Sequence, residues 1–162
     1  MEIIQSDERM ADALAPLIAS FRVALNAYRG VETEPDIAAG REEFLSFLKD
    51  GYPVYAAADG GVPIGYLVCR IEAPCLWVEQ LFVCKAHRRK GVASRLFDQA
   101  EALAADMGED TVFNFVHPNN DGIIRFLRSK GYTVLNMIEV RKPYRGETPR
   151  TQIAVGEHVF DY

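Results

Sequence analysis

The stretch Val83–Ala93 decides how this chain folds, and its sequence is VCKAHRRKGVA. An apolar run that predicts a β-strand, Leu76–Val83, ends here, and a helical pattern, Gly91–Met107, begins here. The basic or potentially basic residues His87–Lys90 lie between them. Positive side chains are unfavourable at a helix N-terminus, because the helix dipole is already positive there. We therefore expect an anion to bind at this turn.

The chemistry of a helix start makes phosphate the favoured anion. The first backbone N–H groups of a helix have no partner within the helix, and Gly91 lets the chain approach phosphate oxygens without a side chain in the way. The sequence contains neither a Gly-x-x-x-x-Gly-Lys-Ser/Thr nor a Gly-x-Gly-x-x-Gly motif. This argues against an NTPase or a nicotinamide enzyme. The alternative to a phosphate site is an exposed basic turn that binds no ligand.

Length and composition predict one intracellular domain spanning residues 1–162. The chain is 49% hydrophobic and 25% charged, which suits a single buried core. No basic flank leads into an apolar run at the N-terminus, and no uninterrupted apolar stretch approaches the ~18 residues that span a bilayer. We expect a cytoplasmic protein without a membrane partner. The net charge of -5 lacks the basic face of a nucleic-acid binder. The oligomeric state stays open, a homodimer included.

Periodicity and turn residues predict strands that first form hairpins and later alternate with helices. We therefore expect an α/β (α+β) fold with a mixed central sheet, antiparallel early and parallel later, with helices on both faces. The predicted strands are Glu2–Gln5, Val54–Ala58, Ile64–Ile71, Leu76–Val83, Thr111–Val116, Tyr132–Val140 and Thr151–Val155. The predicted helices are Ser6 or Asp7 to about Tyr28, Arg41–Lys49, Gly91–Met107 and Asn120–Lys130. We expect a kink or break in the first helix at Pro16.

Two segments resemble motifs of the GNAT superfamily of acyl-CoA N-acyltransferases. Arg88-x-x-Gly91-x-Ala93 after a strand is similar to the family's Arg/Gln-x-x-Gly-x-Gly/Ala motif for the CoA pyrophosphate. The sequence NDGIIRFLRSKGY at residues 120–132 resembles the family's helix with Asn at its start and Gly-Phe/Tyr after its end. The order of elements matches over nearly the whole chain. The resemblance implies acetyl transfer from acetyl-CoA to a primary amine of a small molecule or peptide, by direct attack in a ternary complex, without a metal.

The resemblance also implies a set of cofactor contacts. The backbone of Leu81, Phe82 and Val83 would pair with the pantetheine arm, and Asn120 with its helix face, Leu127 included, would line the thiol end. The pyrophosphate would be held by amides of Arg88, Arg89, Lys90, Gly91, Val92, Ala93 and Ser94. Physical reasoning agrees, because parallel strands ending at Val83 and Val116 must splay if a pantetheine amide inserts between them.

The catalytic groups are harder to assign. Many family members carry a Tyr that protonates the departing thiolate at the position of Leu127, so the general acid is left unassigned. Glu79 is our candidate base, because it has the same strand parity as Leu81 and Val83. It could instead face solvent or pair with an Arg, and His117 is the second candidate base.

Two other classes of function compete with an enzyme. A CoA-binding sensor or structural module is favoured by Leu127, and a domain for another nucleotide would use the same basic turn. We predict no covalent intermediate on Cys84, because the sequence supplies no evident His and orienting partner to activate it. The acceptor is left open; the loops around Tyr28–Gly40 and Tyr144–Arg150 are expected to shape its pocket.

Overall fold

The computed structural model describes residues 1–146 and 151–162, so the predicted loop Tyr144–Arg150 lies partly outside the described residues. The chain divides into two compact units, Met1–Phe115 and Val116–Tyr162, which we call unit 1 and unit 2. The single domain over residues 1–162 stays a prediction.

Unit 1 is built on a five-stranded mixed sheet, which confirms the predicted fold class. The strands lie in the order β1-β2-β3-β4-β5. Neighbours are antiparallel from β1 to β4, and β4 and β5 are parallel. The strands are β1 Glu2–Gln5, β2 Val54–Asp59, β3 Val62–Glu72, β4 Cys75–Val83 and β5 Phe113–Asn114.

Three α-helices and two 3-10 turns accompany this sheet. They are a 3-10 turn Glu8–Met10, α1 Ala11–Tyr28, α2 Ile37–Lys49, a 3-10 turn Lys85–His87 and α3 Val92–Asp106. The prediction for Pro16 was a kink or a break, and the break is wrong, because α1 runs through Pro16. Helix α2 begins earlier than predicted because the Asp36 carboxylate accepts the Ala39 N–H at 2.9 Å and caps it.

Helices cover both faces of the sheet in unit 1, as predicted. On one face, Ile18 of α1 and Phe44 of α2 join Tyr66 and Val68 of β3 in a fully buried core. On the other face, α3 comes so close that a Cβ placed on Gly65 would lie 3.4 Å from Leu96 Cδ1. This packing places the N-terminus of α3 next to the end of β4.

The N-terminal helical stretch differs from expectation in its apolar character. By length and composition alone, Glu8–Tyr28 could cross a membrane, contrary to our reading of the sequence. Core helices pass the same test, and Leu14 and Ile18 of this stretch are completely buried in unit 1.

Unit 2 contains one helix and one hairpin among its described residues. Helix α4 is Asp121–Ser129, and β6 Gln152–Val155 pairs antiparallel with β7 His158–Asp161. The helix and β6 confirm the sequence prediction, whereas β7 was missed.

Two strand predictions are wrong. The expected strand Thr111–Val116 shrinks to β5, and Tyr132–Val140 forms no strand, with Val134 87% exposed. Strand propensity needs a neighbouring strand and a buried face, and Tyr132–Val140 has no ladder partner among the described residues.

Replacing Gly40 by Ala should destabilise the protein. A Cβ at Gly40 would lie 2.5 Å from Ala15 O and 3.0 Å from Ala19 N, so α1 and α2 would have to move apart. Gly→Ala in a helix usually gains ~0.5–1 kcal/mol, but overpacking of this kind costs ~1–3 kcal/mol. We expect a lower midpoint of urea unfolding for Gly40→Ala. Gly122→Ala is the matched control, because a Cβ at Gly122 would meet only Asn120 Oδ1, at 3.8 Å. Equal midpoints for the two variants would contradict the close helix crossing.

Candidate cofactor and acceptor site

The start of α3 is built to hold an anion through its backbone. Gly91 is the N-cap with φ 78°, no side chain caps the helix, and its first turn contains no acidic residue. The first backbone hydrogen bond of the helix is donated by Arg95 N–H to Gly91 O at 3.1 Å. The N–H groups of Val92, Ala93 and Ser94 therefore precede the helical ladder and can bind a phosphate. A Cβ on Gly91 would meet nothing within 4 Å, so the backbone angle, and not space, requires glycine here.

The side chain of Arg88 fixes this turn to the end of β4. Its Nε donates to Val83 O at 2.9 Å, and its guanidinium lies 5.6 Å from the centre of the Phe82 ring. Arg89 follows with a left-handed φ of 62°. The side chains of Arg89 and Lys90 are exposed. Arg88 thus positions the turn, while the backbone presents the donors.

Strand β4 pairs with β5 over only a short stretch. Their ladder consists of Trp77 with Phe113 and Val78 with Asn114. Beyond Val78, β4 continues to Val83 without a β5 partner in unit 1. The ladder thus ends at Asn114, and the splay of the two strands that the sequence suggested stays a prediction. The edge of β4 at residues 81–83 is therefore available to the amides of a pantetheine arm.

Glu79 lies at a β-bulge at this point of departure. Val68 pairs with Gln80 and Cys69 with Val78, so Glu79 is the extra residue of β4. The Arg70 side chain donates from Nε to Glu79 Oε2 at 3.1 Å. The Glu79 side chain is nevertheless 34% exposed.

The bulge makes the parity argument for Glu79 wrong. Leu81 and Val83 pair with Leu67 and Gly65 on the α3 side of the sheet. Glu79 instead meets Arg70, which lies on the α1 and α2 side by strand alternation. An inserted residue resets alternation, and nothing in the sequence marks the insertion.

A chain of polar contacts, buried at Tyr66 and Gln80 and exposed at Arg22, links both helices to the strand next to the bulge. Gln80 is 3% exposed. Its Oε1 accepts the Tyr66 hydroxyl at 2.6 Å, and its Nε2 donates to Glu43 Oε1 at 2.5 Å. Arg22 Nε donates to Glu43 Oε2 at 2.8 Å, and this hydrogen bond raises the pKa of Arg22. The sequence missed these residues, because their partners come from four separate elements.

A cavity of about 240 Å³ lies between α1 and α2, beside the Arg22–Glu43 pair. It borders part of the loop that the sequence assigned to the acceptor pocket. Its polar lining consists of three carboxylates, one guanidinium, one amide and one hydroxyl, from Glu34, Asp36, Glu43, Arg22, Asn26 and Thr33.

Cys84 has a histidine neighbour that our sequence analysis missed. Its Sγ lies 3.1 Å from His87 Nδ1, across the 3-10 turn Lys85–His87. The statement that no His is at hand is therefore wrong. The three-residue spacing was the available signal, because residues three apart face each other in such a turn.

Asn120 and Leu127 belong to unit 2 and are described within it. Asn120 Oδ1 accepts the Ile123 N–H at 3.3 Å and caps α4, while Leu127 is 7% exposed. His117 lies in the same unit, and its Nδ1 accepts the Asn119 N–H at 3.1 Å. Their roles towards a cofactor or acceptor stay predictions. Among residues 1–146 and 151–162, no group of three or more His, Cys, Asp or Glu could hold a metal ion.

Comparison with known families identifies the class of protein. The model of the acetyltransferase (GNAT) family matches residues 21–132, more than half of the chain. The chain therefore belongs to the GNAT acetyltransferase family, and its use of acetyl-CoA follows from that membership. No curated protein matches the sequence.

Solved structures confirm the fold. The aminoglycoside antibiotic 6'-N-acetyltransferase AAC(6')-IG from Acinetobacter haemolyticus is 21% identical with a TM-score of 0.67, covering 89% of this chain and 99% of that one. A ribosomal-protein-alanine N-acetyltransferase from Brucella melitensis biovar Abortus 2308 is 19% identical with a TM-score of 0.69, covering 88% and 99%. The PaiA N-acetyltransferase from Thermoplasma acidophilum, in complex with coenzyme A, is 17% identical with a TM-score of 0.68, covering 80% and 87%.

Gly91→Val should weaken acetyl-CoA binding much more than Arg89→Ala. Valine tolerates a positive φ poorly, so the turn and its amides would be displaced, at a cost of ~1–2 kcal/mol or about tenfold in affinity. Arg89→Ala removes only an exposed charge. Calorimetric titration with acetyl-CoA measures both variants, with far-UV circular dichroism as the check on folding. If Arg89→Ala loses more affinity, side-chain charge and not backbone geometry holds the pyrophosphate.

Proposed function

We propose that this protein transfers the acetyl group of acetyl-CoA to a primary amine by direct attack within a ternary complex. The observation that carries the proposal is the arrangement within unit 1. An uncapped helix start at Gly91 lies next to a strand, β4, whose edge is free at residues 81–83. One element suits the pyrophosphate and the other suits the pantetheine arm. Acetyl-CoA supplies the activated acyl group, and the protein's own groups bind, orient and move protons.

The cofactor contacts that we propose follow the sequence motif. Amides from 88 to 94 would hold the pyrophosphate, and the backbone of residues 81–83 would hold the pantetheine amides. Asn120 and the face of α4 would line the thiol end. On this path the thioester would reach the bulge at Glu79, because β4 leads from the basic turn to that residue.

Glu79 is the base that we propose for the amine proton. Its carboxylate lies at the bulge, is partly exposed, and is oriented by Arg70. A carboxylate can take the proton directly or through one water molecule. His117 remains the second candidate.

The cavity between α1 and α2 supports a cationic acceptor. Three carboxylates face one guanidinium in its lining. An excess of carboxylates attracts protonated amines. We therefore favour a small molecule or peptide that carries positive charge besides the amine that is acetylated.

A panel of acceptors tests the proposed function. We expect acetyl-CoA-dependent product with at least one polyamine, aminoglycoside or basic peptide N-terminus, and weaker turnover of acidic amino acids. Release of free CoA is followed by absorbance, and the acetylated product is identified by mass spectrometry. Tight CoA binding without turnover of any amine would favour the alternative, a CoA-binding sensor or structural module.

Glu79→Gln should lower kcat/KM by ~10² or more near neutral pH, because the amide cannot take a proton. The loss should shrink at high pH, where the free amine is abundant. Glu72→Gln is the matched control, because Glu72 also pairs with Arg70 but lies at the end of β3. Equal losses in the two variants would show that only the orientation of Arg70 matters. If kcat/KM of Glu79→Gln equals that of the wild type, the base is His117 or solvent.

The pH profile of kcat tests the role of Leu127. Leucine carries no proton, so the departing thiolate would take one from water, and kcat should rise to an alkaline plateau. The profile is measured with both substrates saturating and with the chemical step shown to limit turnover. An alkaline fall that disappears on replacing Tyr132 or Tyr144 would identify a general acid and refute the assignment.

The cellular location that we propose is the cytoplasm. All three cysteines are free thiols, which suits a reducing compartment.

A further inference from the structure

The Cys84–His87 pair has a chemistry that the acetyl-transfer scheme does not use. The two side chains lie on one 3-10 turn, with Sγ and Nδ1 in hydrogen-bond contact at 3.1 Å. Both side chains are half-buried, so solvent reaches them. A thiol beside an imidazole can pass its proton to the ring and become a nucleophile.

The surroundings of the pair are strongly basic. Lys85, Arg89 and Lys90 are exposed on the same short stretch between β4 and α3. Cationic side chains and a helix N-terminus stabilise a thiolate and attract anions. The other two cysteines lack this combination of a histidine contact and basic neighbours. Burial raises the pKa of the Cys69 thiol to about 12, and Cys75 has no such contact among the described residues.

The position of Cys84 argues against a role in acyl transfer itself. Glu79 at the bulge is five residues away along the strand. At ~3.3 Å per residue, the separation is about 16 Å. A nucleophile at Cys84 would therefore be remote from the proposed thioester position.

We propose that Cys84 is a modification site that forms a reversible mixed disulfide with low-molecular-weight anionic disulfides. His87 accepts the thiol proton, and the Cys84 thiolate attacks one sulfur of the incoming disulfide. A new bond forms from Cys84 Sγ to that sulfur, and the other half leaves as a thiolate. The Cys84 sulfur is oxidised and the leaving sulfur is reduced, so the incoming disulfide is the only oxidant. This proposal does not depend on the acetyltransferase activity.

The first experiment measures thiol exchange near neutral pH with the anionic disulfide dithiobis(nitrobenzoate), whose released thiolate absorbs light. We expect a fast phase of one thiol per chain, which Cys84→Ser removes and Cys75→Ser retains. His87→Ala and His87→Gln should both slow it by about tenfold, because Cys84 Sγ then loses the imidazole nitrogen at 3.1 Å that accepts its proton. Circular dichroism verifies that each variant is folded.

The second experiment tests the preference for anions. Arg89→Gln should slow exchange with dithiobis(nitrobenzoate) relative to exchange with the cationic disulfide cystamine, because the lost charge attracts the anion and repels the cation. Treatment of the wild type with glutathione disulfide should add one glutathione to the peptide that contains Cys84, seen by mass spectrometry and reversed by dithiothreitol.

Three results would each overturn the proposal. They are a fast phase that survives Cys84→Ser, a folded His87→Ala that reacts as fast as the wild type, and glutathione attached only at Cys69 or Cys75.

Discussion

The parting of β4 from β5 is the constraint on which the site depends. Strand β4 pairs with β3 along its whole length but with β5 at only two residues, Trp77 and Val78. Backbone donors and acceptors that lose a strand partner must find another, and a linear chain of amides such as pantetheine supplies one. The bulge at Glu79 occurs at the same place, and it turns a carboxylate towards the helices α1 and α2.

Local sequence signals were enough to predict most helices and turns. Strand pairing and the orientation of the site side chains depend on long-range contacts. The helix start at Gly91 and the hairpin at residues 59–61 were predictable, because the backbone conformations that they need restrict the residue type. Tyr132–Val140 has strand-like composition, but strand formation requires a partner that composition does not specify. The orientation of Glu79 depends on one inserted residue, and the contact between Gln80 and Glu43 joins residues that are far apart in the sequence.

The chain of polar contacts through Gln80 and Glu43 joins the sheet to helices α1 and α2. Tyr66 and Gln80 hold Glu43 from the sheet side, while Arg22 holds it from α1. The Glu43 carboxylate, whose side chain is 18% exposed, accepts from Arg22 and Gln80, and Gln80 in turn accepts from Tyr66, so these side chains position one another. Tyr66 lies in the hydrophobic core, and Arg22 and Glu43 line the cavity. Through Gln80, these contacts fix the helices α1 and α2 relative to the bulge in β4.

The close crossing at Gly40 has an evolutionary consequence. Since the backbone of α2 rests directly on Ala15 O, the two helices cannot rotate against each other without losing that contact. Descendants of this sequence that adopt new acceptors would keep the angle between the helices. On the proposed function they would change side chains of the cavity lining instead, such as Asn26 of α1 and Glu34 of the loop before α2. The contact that holds the helices together is thus separate from the side chains that line the cavity.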